Sequence, residues 1–106
     1  MNVTVLPAAR ADILQQVEYY ARLGRPDIAD RFLAAVEASF VRLKETPRAG
    51  APKMFSDPRL SAVRTWTIAG FDDIKAYYLV DNSSIAVLRI LHGRRDVDRI
   101  FEAEEL

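Results

Sequence analysis

The spacing of hydrophobic positions changes along the chain, and each change marks an element. Asn2 to Leu6 alternates weakly, Val3 and Val5 against Thr4 and Leu6, which predicts a short first strand ended by Pro7. Pro7 suits the first turn of a helix, where its missing N–H is not needed. From Ala8 to Leu23 the residues Ala9, Ile13, Val17 and Tyr20, with Leu14 and Ala21, form an apolar stripe at helical spacing, and Gly24 stops it. Pro26 restarts a helix, with Asp27 in its first turn where the dipole favours an acid. Ile28, Phe32, Ala35, Val36, Ser39, Phe40 and Leu43 then follow the spacing of one buried helical face. The short Gly24-Arg25-Pro26 link makes the pair an antiparallel hairpin.

No period survives from Thr46 to Ser61, which contains Pro47, Gly50, Pro52 and Pro58; this is a long loop. Three strands are predicted after it. Ala62 to Ile68 is rich in β-formers, Gly70 to Asp73 makes a turn, and Ile74 to Val80 resumes the β pattern. Asp81-Asn82-Ser83-Ser84 is a turn signal, so the third strand forms a hairpin with a fourth that begins at Ile85 and is apolar at nearly every position to Leu91. Asp96 is placed to cap a final helix in which Val97, Ile100 and Phe101 share a face. Glu102, Glu104 and Glu105 fall at that helix's C-terminal end, where the dipole disfavours them and fraying is expected.

The order predicts an α+β domain spanning 1–106, with a helical hairpin packed on one face of a mostly antiparallel four-stranded sheet and a short C-terminal helix. Strict alternation puts Ile74, Ala76, Tyr78 and Val80 toward the helices, with Asp73, Lys75, Tyr77 and Leu79 opposite. In the fourth strand it puts Ala86, Leu88 and Ile90 toward the helices and Arg89 on the other side. Lys75, Tyr77 and Arg89 would then share an uncovered face, a candidate partner site.

Composition narrows the chemistry. The absence of cysteine removes disulfide frameworks, thiolate nucleophiles and thiolate metal sites, and suits a reducing cytoplasm. No apolar run approaches the roughly 20 residues of a membrane span, and Met1 to Val5 lacks the features of an export signal, so a cytoplasmic protein is expected. The 15 basic and 15 acidic residues cancel, which argues against direct nucleic-acid binding. The cancellation hides a segregation, because Val41 to Arg99 carries 11 basic residues against 7 acidic.

The cations concentrate where the last strand ends, at Arg89, His92, Arg94 and Arg95. His92 is the one side chain whose ordinary pKa lies near neutrality, and hence a candidate base. The commoner role of such a residue at a strand end is that of a hydrogen-bonded structural group, since base catalysis also needs a nucleophile and an orienting partner. Arg64, Arg89, Arg94 and Arg95 suit a bidentate phosphate clamp or the stabilisation of a transferring phosphoryl group, or pairing with Asp72, Asp73, Asp96 or Asp98. Trp66, Tyr77 and Tyr78 are candidates for base stacking or for the core. The sequence has no Gly-rich phosphate loop and no metal-ligand cluster, so no metal or cofactor is expected.

Val63-Arg64-Thr65-Trp66, Gly70-Phe71, Ala76-Tyr77-Tyr78-Leu79-Val80 and Ala86-Val87-Leu88-Arg89-Ile90-Leu91-His92-Gly93-Arg94-Arg95-Asp96, in this order of elements, resemble the ParE/RelE superfamily of toxins from type II toxin–antitoxin systems. Ala11-Asp12-Ile13-Leu14 and Pro47-Arg48-Ala49-Gly50-Ala51-Pro52 extend the resemblance over nearly the whole chain. It implies the α+β fold derived above and a cognate DNA-binding antitoxin. Two activities live on that fold. One branch, RelE-like, cleaves messenger RNA on the ribosome, and here Arg64, Arg89, His92 and Arg95 would be its candidates. Where RelE-like nucleases carry a late tyrosine, alignment on Gly93-Arg94-Arg95 places Phe101, which cannot transfer a proton. The ParE-like branch poisons DNA gyrase without chemistry and is neutralised by a ParD-like antitoxin, a role in plasmid stabilization. On that branch Arg64, Lys75, Tyr77, Arg89, Arg94 and Arg95 would hold a partner. The resemblance favours the ParE-like branch, with the nuclease, or a non-toxic member that only binds antitoxin, as alternatives.

Overall fold

Both long helices begin at a proline, the residue that gives up nothing by lacking an N–H in a first turn. In a computed structural model describing residues 1–103, α1 runs Pro7–Arg22 and α2 runs Pro26–Glu45. Gly24 between them has φ +71 and open space where a Cβ would stand, so its contribution is the left-handed backbone that ends α1. The stripe expected on α2 is the buried one: Phe32, Val36, Ser39 and Leu43 face the core, and the Ser39 hydroxyl donates to the Ala35 carbonyl at 2.9 Å. On α1 the buried residues are Ala9 and Asp12, with Ile13, Val17 and Tyr20 packed at the margin. Leu14 and Ala21, assigned to the same stripe from sequence, are exposed.

The sheet has five strands rather than four. In spatial order they are β1 (Asn2–Val5), β5 (Ser84–His92), β4 (Phe71–Val80), β3 (Arg64–Ile68) and β2 (Ala51–Pro52). β1 runs parallel to β5, and the other pairs are antiparallel. The additional strand is the two-residue β2 inside the segment read as loop. It lies at the sheet edge, where a proline removes no needed ladder bond. The same segment holds a 3₁₀ turn at Pro58–Leu60. β4 starts at Phe71 rather than Ile74, because Gly70, with φ +83, lets the turn close sooner.

The faces of β4 follow the alternation. Ile74, Ala76, Tyr78 and Val80 join the core beneath the helices, and Tyr77 and Leu79 lie opposite. Those of β5 do not, because the register slips between Tyr77 and Tyr78: Tyr77 faces Arg89 while Tyr78 faces Val87. Leu88 is the extra residue of a β-bulge. Ile85, Val87 and Ile90 therefore point to the helical core, whereas Ala86 and Leu88, expected there, belong to the second face.

That second face is covered, contrary to the sequence expectation. Asp96 caps α3 (Val97–Glu102) by accepting the Arg99 N–H, and Val97 and Phe101 bury against Leu60, Val63, Tyr77, Leu88 and Leu91. Phe101 packs its ring 5.1 Å from Phe55 and 5.5 Å from Tyr77. A Lys53–Asp98 pair at 3.7 Å links the preceding loop to α3. Glu104 and Glu105, expected to fray, lie outside the described residues.

Tyr78 pins the loop between α2 and β3. Its hydroxyl donates to the Pro47 carbonyl at 2.9 Å and accepts the Gly50 N–H at 3.0 Å, while Arg64 donates to the Gly50 carbonyl at 2.8 Å. A Cβ on Gly50 would collide with the Tyr78 hydroxyl and stand 2.6 Å from the Thr65 carbonyl oxygen, so Gly50 is there for close approach. Gly50→Ala is expected to lower the unfolding free energy by about 2 kcal/mol in urea titration, from overpacking. Tyr78→Phe should cost a comparable amount, about 1–3 kcal/mol, through the Gly50 N–H left without its acceptor.

Candidate functional site

β5 is longer than the strand beside it, and the site grows from that mismatch. The last bonded rung between them is the Leu6 N–H to the Val87 carbonyl at 3.0 Å; the chain then turns into α1. The second half of β5 has no strand on that side, and α1 supplies a carboxylate instead. Asp12 Oδ2 accepts the Ile90 N–H at 2.9 Å. The Arg89 guanidinium grips the same carboxylate with two bonds, Nε to Oδ2 at 2.7 Å and Nη2 to Oδ1 at 2.8 Å. The side chains are 15% and 5% exposed, so the pair is substantially shielded from water. A bidentate pair with a further backbone donor meets the condition under which a buried charge is tolerated.

Arg89 is thus drawn to α1 and is not displayed with Lys75 and Tyr77 on an open face. The bulge at Leu88 and the free edge beyond β1 are what let it reach Asp12. Tyr77 is 2% exposed beneath α3, and burial, then the nearby Asp98 charge, raises its phenol pKa. The Tyr78 phenol is also raised by burial, with the Gly50 N–H and Arg64 working against the shift. Neither phenol is placed to be a base near neutral pH. Lys75 is half-buried on β4, opposite Leu91.

At the mouth of β5, His92 is half-buried opposite Ile74, and the Gly93 N–H donates to the Asp73 carbonyl at 2.7 Å. Arg94 approaches Asp73 at 3.8 Å, with both side chains mostly in water, an arrangement that contributes little stability. Arg95 is exposed, and its N–H closes a turn onto the His92 carbonyl at 3.2 Å. His92 and Arg95 line a groove of about 320 Å³ whose other wall is the α1 face bearing Gln15, Gln16, Tyr19 and Arg22. Asp12, Ile90 and Leu91 complete its lining.

Arg64 is not part of this groove. It lies opposite Tyr78 on β3, bonds the Arg48 and Gly50 carbonyls at 3.1 and 2.8 Å, and lines a separate hollow of about 210 Å³ with Arg48 and Pro52. Of the four residues named for phosphodiester cleavage, Arg64 stands apart and supports a loop, Arg89 holds Asp12, and His92 and Arg95 line the groove. Among the described residues no group of three or more His, Asp or Glu side chains is placed to hold a metal ion, and no helix is long and apolar enough to cross a membrane.

The sequence reading missed the role of Asp12 and the α1 wall of the groove. Asp12 had a signal: it lies three residues after Ala9, within the apolar stripe, and an acid at such a position needs a buried cation. Gln15, Gln16 and Arg22 had none, being ordinary polar residues of an amphipathic helix. Replacing Asp12 by alanine should cost about 3–5 kcal/mol in chemical denaturation, because Arg89 is left buried and the Ile90 N–H unbonded. Combining Asp12→Leu with Arg89→Met should recover much of that loss.

The sequence matches the profile of the family described as ParE toxin of type II toxin-antitoxin system, parDE, over residues 3–97. Among solved structures, the chromosomal ParDE TA system from P. aeruginosa contains a similar chain, 24% identical with a TM-score of 0.70, over 87% of this chain and 95% of that one. A YoeB/ParE toxin from Agrobacterium tumefaciens is similar at 15% identity and a TM-score of 0.56, covering 87% of this chain and 98% of its own. A search of curated proteins found no match.

Proposed function

The chain belongs to the ParE toxin family of type II toxin–antitoxin systems, and from that membership we propose that it arrests growth by binding DNA gyrase and is held inactive by a ParD-like antitoxin in the cytoplasm. The observation that carries the choice of a binding toxin over a nuclease is the fate of the groups a nuclease would need. Transferring a 2′-hydroxyl proton and stabilising the phosphate call for a proton-transfer group and cations at one place. Phe101 is 1% exposed between Tyr77 and Phe55, with no transferable proton, and Arg89 is committed to Asp12. The formal charge of zero is a poor match to the surface of a ribosome.

The helical hairpin offers the antitoxin a surface. Leu14 on α1 and Leu33 and Val41 on α2 stand exposed, and an amphipathic segment of the antitoxin would cover such positions. On this reading, deploying the toxin requires only that this segment be removed, since binding a target needs no chemical step to be switched on.

Purified chain is expected to inhibit DNA supercoiling by gyrase at near-stoichiometric ratios, and a ParD-like protein encoded beside it should relieve the inhibition. Primer extension on translated messages after induction should show no new cleavage. Cleavage that disappears on Arg95→Ala would replace this reading with the nuclease one, and absence of any effect on gyrase at stoichiometric excess would remove gyrase as the target.

A further inference from the structure

We propose that the groove between α1 and the end of β5 receives an acidic side chain from an apolar-acidic segment of a protein partner, with Arg22 and Arg95 as the residues that hold it. The cations at this end of the molecule have unequal fates. Arg89 is neutralised by Asp12, and Arg94 lies within 3.8 Å of Asp73. Arg22 and Arg95 line one concavity from opposite walls, and among the described residues neither has an ion-pair partner within 4 Å. Asp12, the acid in that lining, has its charge spent on Arg89 and the Ile90 N–H. Among the described residues the groove therefore carries a positive charge that no ion pair compensates.

Its shape and the rest of its lining specify the occupant. A volume of about 320 Å³ admits one or two side chains with their backbone. Gln15 and Gln16 present amides able to bond a peptide backbone, and the ring of Tyr19, about half exposed, offers an apolar contact beside the arginines. A nucleic acid fits poorly. Asp72 and Asp73 border the hollow on the other side of His92, Asp73 with Arg94 beside it, and Asp96 shares the next hollow with Arg95 and Arg99, so a run of phosphates leaving the groove would meet acids among the cations in either direction and no continuous basic track. A single carboxylate meets none of them. This surface does not depend on gyrase being the target, because what the groove selects is the acidic segment itself.

The test is an NMR titration of the full chain, made by cell-free synthesis, with a short synthetic peptide of alternating glutamate and leucine. Saturable shifts are expected at the amides of Gln15, Gln16, Tyr19 and the His92–Arg95 turn, fading as salt is raised. Arg22→Gln and Arg95→Gln should each weaken binding roughly tenfold, the scale of one charge-assisted hydrogen bond. Both residues are exposed, and unchanged amide positions elsewhere would report an intact fold. Arg31→Gln, at an exposed position of α2, should change nothing. The inference is overturned if the shifts scatter over all exposed arginines, if neither groove variant weakens binding, or if a peptide with glutamine in place of glutamate binds equally well. It is also overturned if a single-stranded oligonucleotide of equal charge occupies the same amides more tightly.

Discussion

One carboxylate holds the working end of this molecule together. Asp12 sits on the first helix and binds the last strand, 77 and 78 residues away along the chain, through Arg89 and the Ile90 N–H. It stands where β1 runs out, and in effect continues the sheet edge with a side chain. Without it, the exposed half of β5 would present an unpaired backbone donor and α1 would have only its partly buried apolar stripe to set its angle. Because Arg22, Tyr19 and Gln15 are on the same helix, the position of Asp12 also fixes how far they stand from His92 and Arg95. The groove is thus a by-product of an ion pair whose own role is structural.

A second constraint acts on the same strand. β5 is sandwiched between two apolar layers, the helical hairpin on one side and α3 with its loop on the other. Leu88 is inserted as a bulge, so the strand changes phase partway and can feed Ile90 to one layer and Leu91 to the other while Arg89 swings to the free edge. The bulge re-aims a side chain, which is a recurrent use of this irregularity. Its cost is a local break in the ladder, offset by the bonds Arg89 then forms.

How much of this was legible in the sequence differs from element to element for physical reasons. The helices, their proline starts, the β4 faces and the Asp96 cap were readable because each depends on neighbours within a few residues. The faces of β5 were not, since a bulge leaves no mark in a strand that is apolar at nearly every position. Strict alternation therefore places Ile90 and Leu91 on their observed faces and inverts the positions before the bulge, Ala86, Val87 and Leu88. The covered second face was missed because it is made by six residues of helix and a loop whose apolar members, Phe55, Leu60 and Val63, show no period. Of the site, the strand end with His92, Arg94 and Arg95 was visible as a cluster. The facing wall was not, because which face of α1 meets β5 is a tertiary fact.

The fates of the arginines show why a cluster of cations is weak ground for assigning chemistry. Arg64, Arg89, Arg94 and Arg95 look alike in sequence, yet the first bonds loop carbonyls, the second satisfies a buried acid, the third lies loosely beside Asp73, and the fourth lines the groove facing α1. A guanidinium that is already bidentate to a carboxylate would have to give up those bonds to meet a phosphate, and the buried acid it abandoned would be left uncompensated. The geometry that builds the site therefore commits Arg89 to Asp12. What the fold leaves available for recognition is a pair of arginines with polar and aromatic neighbours on a rigid frame, an arrangement suited to holding a partner in place.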